Sequence, residues 1–362
     1  MKDYWTRLRQ WQRPWLIFWT SLKRWTRLNK NSTALMIKVG IPRALYYYQY
    51  YPMCKAFFEG LGAETVVSPP TNKAILSSGA SRAGAETCLP VKVFFGHVKF
   101  LVEKCDCVFI PAIRSLGRKA YHCSKFLGLP DMTKALIPEC PPILDPEIDL
   151  NQGRRRLYQI IYTLGRYFTS DKGKVKKAVE EAWKVNLAYS NRMSREGITP
   201  IQALEGIYQS KEEVDPGDNM LPSLRIGVIG HPYVIYDDYI SHRLISRLQG
   251  MGAEILTPEM MGEEALHIAM TSLVGKQHWS FEADIIGAGE CYLEAKVDGI
   301  ISVAVFGCGP DSMLINVVQR RARELKTPFL HLSLDEHTSE GGLVTRLEAF
   351  LDMVERRKRI CA

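Results

Sequence analysis

The sequence predicts an α/β fold: two doubly wound domains related by internal duplication and joined by a helical connector. Three observations predict it. A strand–turn–helix–Gly-Ala-Glu–strand unit occurs twice, its first strands offset by 187 residues. Two further runs, residues 106–113 and 298–306, are apolar along nearly their whole length, as parallel strands covered on both faces are. The stretch between the two units, residues 149–223, is polar and carries helical periodicity.

The elements follow in order. Residues 37–41 (Ile-Lys-Val-Gly-Ile) read as the first strand. Pro42-Arg43-Ala44 turns the chain into a helical run that stops at Leu61-Gly62-Ala63-Glu64, and Thr65-Val66-Val67 is the next strand. The second copy is residues 224–229 (Leu-Arg-Ile-Gly-Val-Ile), the turn Gly230-His231-Pro232, a helical run to Met251-Gly252-Ala253-Glu254, and Ile255-Leu256-Thr257. In each copy the Gly ends a helix, a position that favours left-handed backbone. Residues 91–103 and 313–325 read as helices and 329–334 as a late strand. The connector holds helices at 154–168 and 175–192 and a loop at Asp215-Pro216-Gly217-Asp218-Asn219. The segments are therefore 1–35, 36–148, 149–223 and 224–362. Ligands of such sheets sit at the carboxyl ends of the strands.

At 362 residues the chain is long enough for two cores without disulfide staples. Its 46% hydrophobic and 24% charged residues exclude wholesale disorder and a polytopic membrane protein. The net charge of +8 is local: residues 1–35 hold eight Lys/Arg and one acid, Asp3, leaving 39 basic and 38 acidic residues elsewhere. No nucleic-acid partner is expected for residues 36–362. Five of the seven Trp also lie in residues 1–35. Three readings fit that segment: a basic amphipathic helix on an anionic membrane surface, a nucleic-acid arm, or an extension ahead of a start at Met36. Nine cysteines without a secretory signal point to reduced thiols and a cytoplasmic protein.

Neither unit opens with Gly-x-Gly-x-x-Gly, and Walker-type, Gly-x-Ser-x-Gly and His-Glu-x-x-His motifs are absent from the sequence. Cysteine is the informative residue. Cys88, in Glu-Thr-Cys-Leu-Pro, and Cys308, in Gly-Cys-Gly-Pro-Asp-Ser, each precede Pro by two residues at the start of a helical run. A thiol there faces the positive end of the helix, which favours thiolate as ligand or nucleophile. The glycines around Cys308 allow close backbone approach. Cys123, in Tyr-His-Cys-Ser-Lys, follows the first domain's strand and loop. Three converging thiolates suit an iron–sulfur cluster with one iron left to a non-protein ligand. Zinc is the neighbouring alternative, although Cys-x-x-Cys is missing; ordinary buried cysteines are the simplest. Cys54, Cys105, Cys107, Cys140, Cys291 and Cys361 read as packing or surface residues. Arg43 is a candidate for the cleft, and Lys92 and Lys125 for neutralising an anionic group. Asp311 and Ser312 are expected to cap their helix. Asp335-Glu336-His337-Thr338 reads as a proton-handling cluster or a solvated turn, and the Tyr46–Tyr51 run as a helix face packed on the sheet.

The segments Gly40-Ile41-Pro42-Arg43-Ala44-Leu45, Cys88-Leu89-Pro90-Val91-Lys92, Cys123-Ser124-Lys125-Phe126-Leu127-Gly128-Leu129-Pro130-Asp131, Phe306-Gly307-Cys308-Gly309-Pro310-Asp311-Ser312 and Asp335-Glu336-His337-Thr338 together resemble one family. It is the acyl-CoA dehydratase activase-related group, akin to the small subunit of 2-hydroxyacyl-CoA dehydratases and to double-cubane cluster proteins. The resemblance covers about residues 36–355. It implies two flavodoxin-like domains around an iron–sulfur cluster, [4Fe-4S] or double-cubane, held by Cys88, Cys123 and Cys308. It also implies an ATP-dependent activase as donor of low-potential electrons, anaerobic operation, and a homodimer or a related second subunit. This chain lacks the activase's ATP-binding domain. Two other readings stand beside the redox one: a non-catalytic scaffold or delivery protein for clusters, and a two-lobed ligand-binding module with structural cysteines.

Overall fold

The computed structural model describes residues 36–117, 119–208 and 224–361, without the side chains of Tyr208 and Cys361. The basic segment 1–35, the loop at 215–219 and the Cys361 thiol therefore lie outside the described residues. Residues from Lys38 onward form one compact unit.

The first half runs β1 (Lys38–Ile41), α1 (Tyr47–Gly60), β2 (Glu64–Val67), α2 (Lys73–Ala80), α3 (Leu89–Leu101), β3 (Cys107–Phe109), β4 (Ala112–Ser115), α4 (Ser124–Leu136), β5 (Ile143–Leu144) and β6 (Glu147–Asp149). Three helices follow: α5 (Arg154–Gly165), α6 (Lys172–Glu196) and α7 (Pro200–Tyr208). The second half runs β7 (Leu224–Gly230), α8 (Pro232–Ile235), α9 (Leu244–Gly250), β8 (Ala253–Leu256), α10 (Glu263–Val274), α11 (Ala288–Glu294), β9 (Gly299–Val305), α12 (Gly309–Glu324), β10 (Phe329–Leu334) and α13 (Glu340–Cys361). A π-helical turn, Ala283–Gly287, leads into α11.

The main sheets are parallel, with strand orders β2-β1-β3-β5 and β10-β9-β7-β8. Each thus places its first strand between its second and third. β9 is buried at all seven positions, which explains its unbroken apolar sequence. The paired helix stops are also present. Gly62 (φ +88°) and Gly252 (φ +81°) follow α1 and α9 in left-handed backbone, where a side chain would be strained.

The apolar run at 106–113 is not one strand. It breaks at Pro111 into β3, in the main sheet, and β4, which pairs with β6 in a separate two-stranded sheet. Proline supplies no N–H to a ladder, and the break redirects the chain toward Cys123. Of the 13 residues of α3, 11 are buried, so it is a core helix. α6 lays Val175, Ala178, Ala182, Tyr189 and Met193 inward and packs along α1. Its Tyr189 hydroxyl donates to the Tyr48 carbonyl at 2.7 Å. Among the described residues no helix is long and apolar enough to cross a membrane.

Candidate metal centre

Cys88, Cys123 and Cys308 are the N-cap residues of α3, α4 and α12, and none caps its helix through its thiol. Pro90 and Pro310 stand in the first turn of α3 and α12, where a missing N–H costs nothing. The first amides of a helix have no intrahelical acceptor, so each cysteine sits beside free donors and a positive helix end.

All three cysteines line one cavity of about 50 Å³, more than the ~10–15 Å³ one water needs. Both halves of the chain build it. The first supplies Leu45, Val91, His122, Lys125 and Phe126; the second supplies His231, Tyr233, Trp279, Phe281 and Leu314. Tyr121 joins the halves at the wall. Its N–H donates to the His278 carbonyl at 2.9 Å and its carbonyl accepts from Ser280 N–H at 3.1 Å. His231 follows β7 and Cys308 follows β9, so both stand where the second sheet reverses its strand order, the usual ligand position in such sheets.

The walls are aromatic. The His122 ring lies nearly parallel to Tyr46 (5.4 Å, 10°) and to Phe281 (5.3 Å, 23°). Neither of its ring nitrogens has a hydrogen-bond partner. Burial, with the charge of nearby His231, lowers its pKa to about 4. Burial raises the Tyr46 and Tyr233 phenols well above their ordinary value, so both keep their protons.

One group of ligand-type side chains stands out. The Cys308 sulfur, a His231 ring nitrogen and an Asp311 carboxylate oxygen lie within 4.8 Å of one another. His231 Nε2 is 2.6 Å from Asp311 Oδ1. Asp311 is fully buried beside His231 and Cys308, and the buried His231 Nδ1 has no partner. This corrects two expectations. Asp311 does not cap α12 but faces inward, while Ser312 Oγ donates back to the Cys308 carbonyl at 3.0 Å. The Cys308 thiol is not lowered by its helix end: burial, reinforced by Asp311, pushes it up to about 12.

The other candidates separate. Among the described residues the remaining cysteines do not line the cavity; Cys107 packs in β3 and Cys105 donates to the Leu101 carbonyl at 3.2 Å. Lys125 is at the cavity, whereas Lys92 is buried against Glu336. Arg43 lies over the Tyr47 ring at 5.3 Å. Asp335 closes a turn by accepting from His337 N–H at 2.9 Å. Tyr46 turns to His122 rather than to the sheet. Sequence reasoning passed over His122, His231 and the loop carrying Trp279 and Phe281. A usable signal existed for the histidines: one adjoins Cys123 and the other directly follows β7.

Fold and cavity define a class: a parallel α/β protein in which cysteines from three helix starts meet between the halves of the chain. The comparisons give the family. Residues 38–261 match the CoA enzyme activase uncharacterised domain, and the chain belongs to that family. Residues 288–354 match the D-component of 2-hydroxyglutaryl-CoA dehydratase. Cys88 and Cys123 fall in the first match and Cys308 in the second. No curated protein matches the chain.

Proposed function

We propose that Cys88, Cys123 and Cys308 hold an iron–sulfur cluster that receives low-potential electrons from an ATP-hydrolysing activase partner, for reductive or radical chemistry on a small or CoA-linked substrate. The observation that carries this reading is the meeting of the three thiols, each at a helix start, on one cavity. The donor set suits the group: thiolates are the standard cluster ligands, and free helix amides favour an anionic cluster. When bound, the cluster would store and pass single electrons. The chain's own residues do the rest. Phe126, Phe281 and Trp279 keep bulk water from the thiols, and Lys125 brings a positive charge to the wall.

The likeness of the two sheet orders supports two flavodoxin-like domains, residues 36–148 and 224–362, that arose by duplication and are joined by residues 149–223. A cytoplasmic, anaerobic setting and a homodimer or related subunit belong to the same proposal. The test is iron and acid-labile sulfide content of anaerobically purified protein. About four irons per chain is the expected order for one such cluster, with loss in Cys88→Ser, Cys123→Ser and Cys308→Ser. Colourless protein that cannot be reconstituted refutes the reading and returns the cysteines to packing roles.

A further inference from the structure

The geometry points to His231, oriented by Asp311, as a fourth protein ligand at the Cys88–Cys123–Cys308 centre. The inference rests on the cluster reading above and adds to it a non-cysteine donor. Three thiolates leave one iron of a cubane without a cysteine. His231 is the side chain placed to take it. It lines the cavity, follows β7 next to the strand that carries Cys308, and lies with Cys308 and Asp311 inside 4.8 Å.

Its surroundings have the form of a metal-bound histidine. Such a ring gives one nitrogen to the metal and the other to a carboxylate, which fixes the tautomer and raises ligand basicity. Here Asp311 Oδ1 stands 2.6 Å from Nε2. The other nitrogen, Nδ1, is buried and unpartnered. Two aromatic rings limit rotation: Tyr233 is stacked at 4.8 Å (19°) and Phe281 is edge-on at 4.5 Å (71°).

Asp311 supplies the second argument. Its carboxylate is 0% exposed, and the polar side chains against it are His231 and Cys308. Burying a carboxylate is costly unless positive charge compensates. An imidazole polarised by iron supplies positive charge to this carboxylate through the His231 contact. His122 is also unpartnered, but no carboxylate orients it, and its faces are taken by Tyr46 and Phe281. His231 in that place would make the centre a carrier of electrons rather than a site that binds substrate through iron.

The test is pulsed paramagnetic-resonance spectroscopy of the dithionite-reduced wild-type protein, grown with ordinary or nitrogen-15 histidine. The expected result is one strongly coupled nitrogen that responds to the label. That coupling is lost in His231→Ala and in His231→Cys, while iron and sulfide content is retained. Asp311→Asn shifts the coupling without removing the iron. A reduced cluster with no histidine nitrogen, or a coupling that persists in His231→Ala, overturns the inference alone. Wild-type protein that takes up no iron and sulfide overturns the cluster reading with it. The labelled wild-type spectrum decides the point even where a variant fails to fold.

Discussion

Lys92 and Glu336, 244 residues apart, form an ion pair at 2.5 Å that ties the start of α3 to the turn after β10. The lysine side chain is 6% exposed and the glutamate 28%. Lys92 also donates to the Ala85 carbonyl at 3.1 Å, bracing the loop that delivers Cys88.

Lys92→Met should therefore cost about 1–3 kcal/mol. Removing one partner of a fully buried pair costs ~3–5 kcal/mol, and water reaching Glu336 offsets part of that. Hydrogen bonding from Lys92 lowers the Glu336 pKa. The pair's contribution is thus present above the ordinary glutamate value and is lost as pH falls through the lowered one. Urea unfolding of Lys92→Met, Glu336→Gln and the double variant measures the coupling. Additive costs would show that the pair does not couple.

A second link between the halves joins the half-buried Thr71 to the buried Asp237 and His97. Thr71 donates its hydroxyl to Asp237 Oδ2 and lies 2.9 Å from His97 Nε2. With its only proton given to Asp237, Thr71 must accept from His97, which fixes the Nε2–H tautomer. Burial raises Asp237 to about 6 and lowers His97 to about 3. Between pH 4 and 6 the folded protein holds a proton on Asp237 that the unfolded chain has lost, so this group's contribution falls as pH rises. His97 acts with the opposite sign, since the unfolded chain binds its proton first. Each slope is about 1.4 kcal/mol per pH unit. The stability difference between wild type and Asp237→Asn should therefore fall by about that much per unit across the window, and the difference to His97→Gln should rise. Parallel pH–stability curves would rule out both assignments.

What was legible in the sequence was what neighbours determine. Apolar runs marked β1, β7 and β9, Gly62 and Gly252 marked helix stops, and Pro two residues after Cys88 and Cys308 marked helix starts. The break at Pro111 was written in the chain, but an apolar run on both sides hid it. Asp311 read as a capping residue because local rules favour that role; its inward turn depends on His231, 80 positions earlier. The same holds for His122 beside Phe281 and Lys92 against Glu336. Each is decided by which strand ends the two sheets bring together, and no local periodicity encodes that.

α2 and α3 touch backbone to backbone. A Cβ on Gly79 would lie 1.8 Å from the Lys92 carbonyl oxygen, and one on Gly96 would lie 2.0 Å from that of Ile75. Neither obstacle is a flexible side chain, so the helices must move apart. Gly79→Ala and Gly96→Ala should each lose about 1–3 kcal/mol or more, although alanine is the better helix former. Because α3 carries Cys88 at its start, both variants should also bind less iron. Thermal unfolding with iron analysis tests this, and wild-type midpoints would show that the two helices adjust freely.

His122 offers a substitution that should stabilise. It is 8% exposed, neither nitrogen is paired, and it lies among Tyr46, Phe126 and Phe281. An unpaired buried polar group costs about 1–3 kcal/mol, so His122→Phe should gain about 1–2 kcal/mol at neutral pH. The gain should grow in acid. The folded His122 titrates near 4, below its ordinary value, so wild type loses stability as pH falls from about 6.5 toward 4 and the variant does not. The histidine-nitrogen coupling should stay as in the wild type, since His122 is not the nitrogen donor inferred above. A histidine-nitrogen coupling that is lost in a folded His122→Phe protein and kept in His231→Ala would move the nitrogen ligand from His231 to His122.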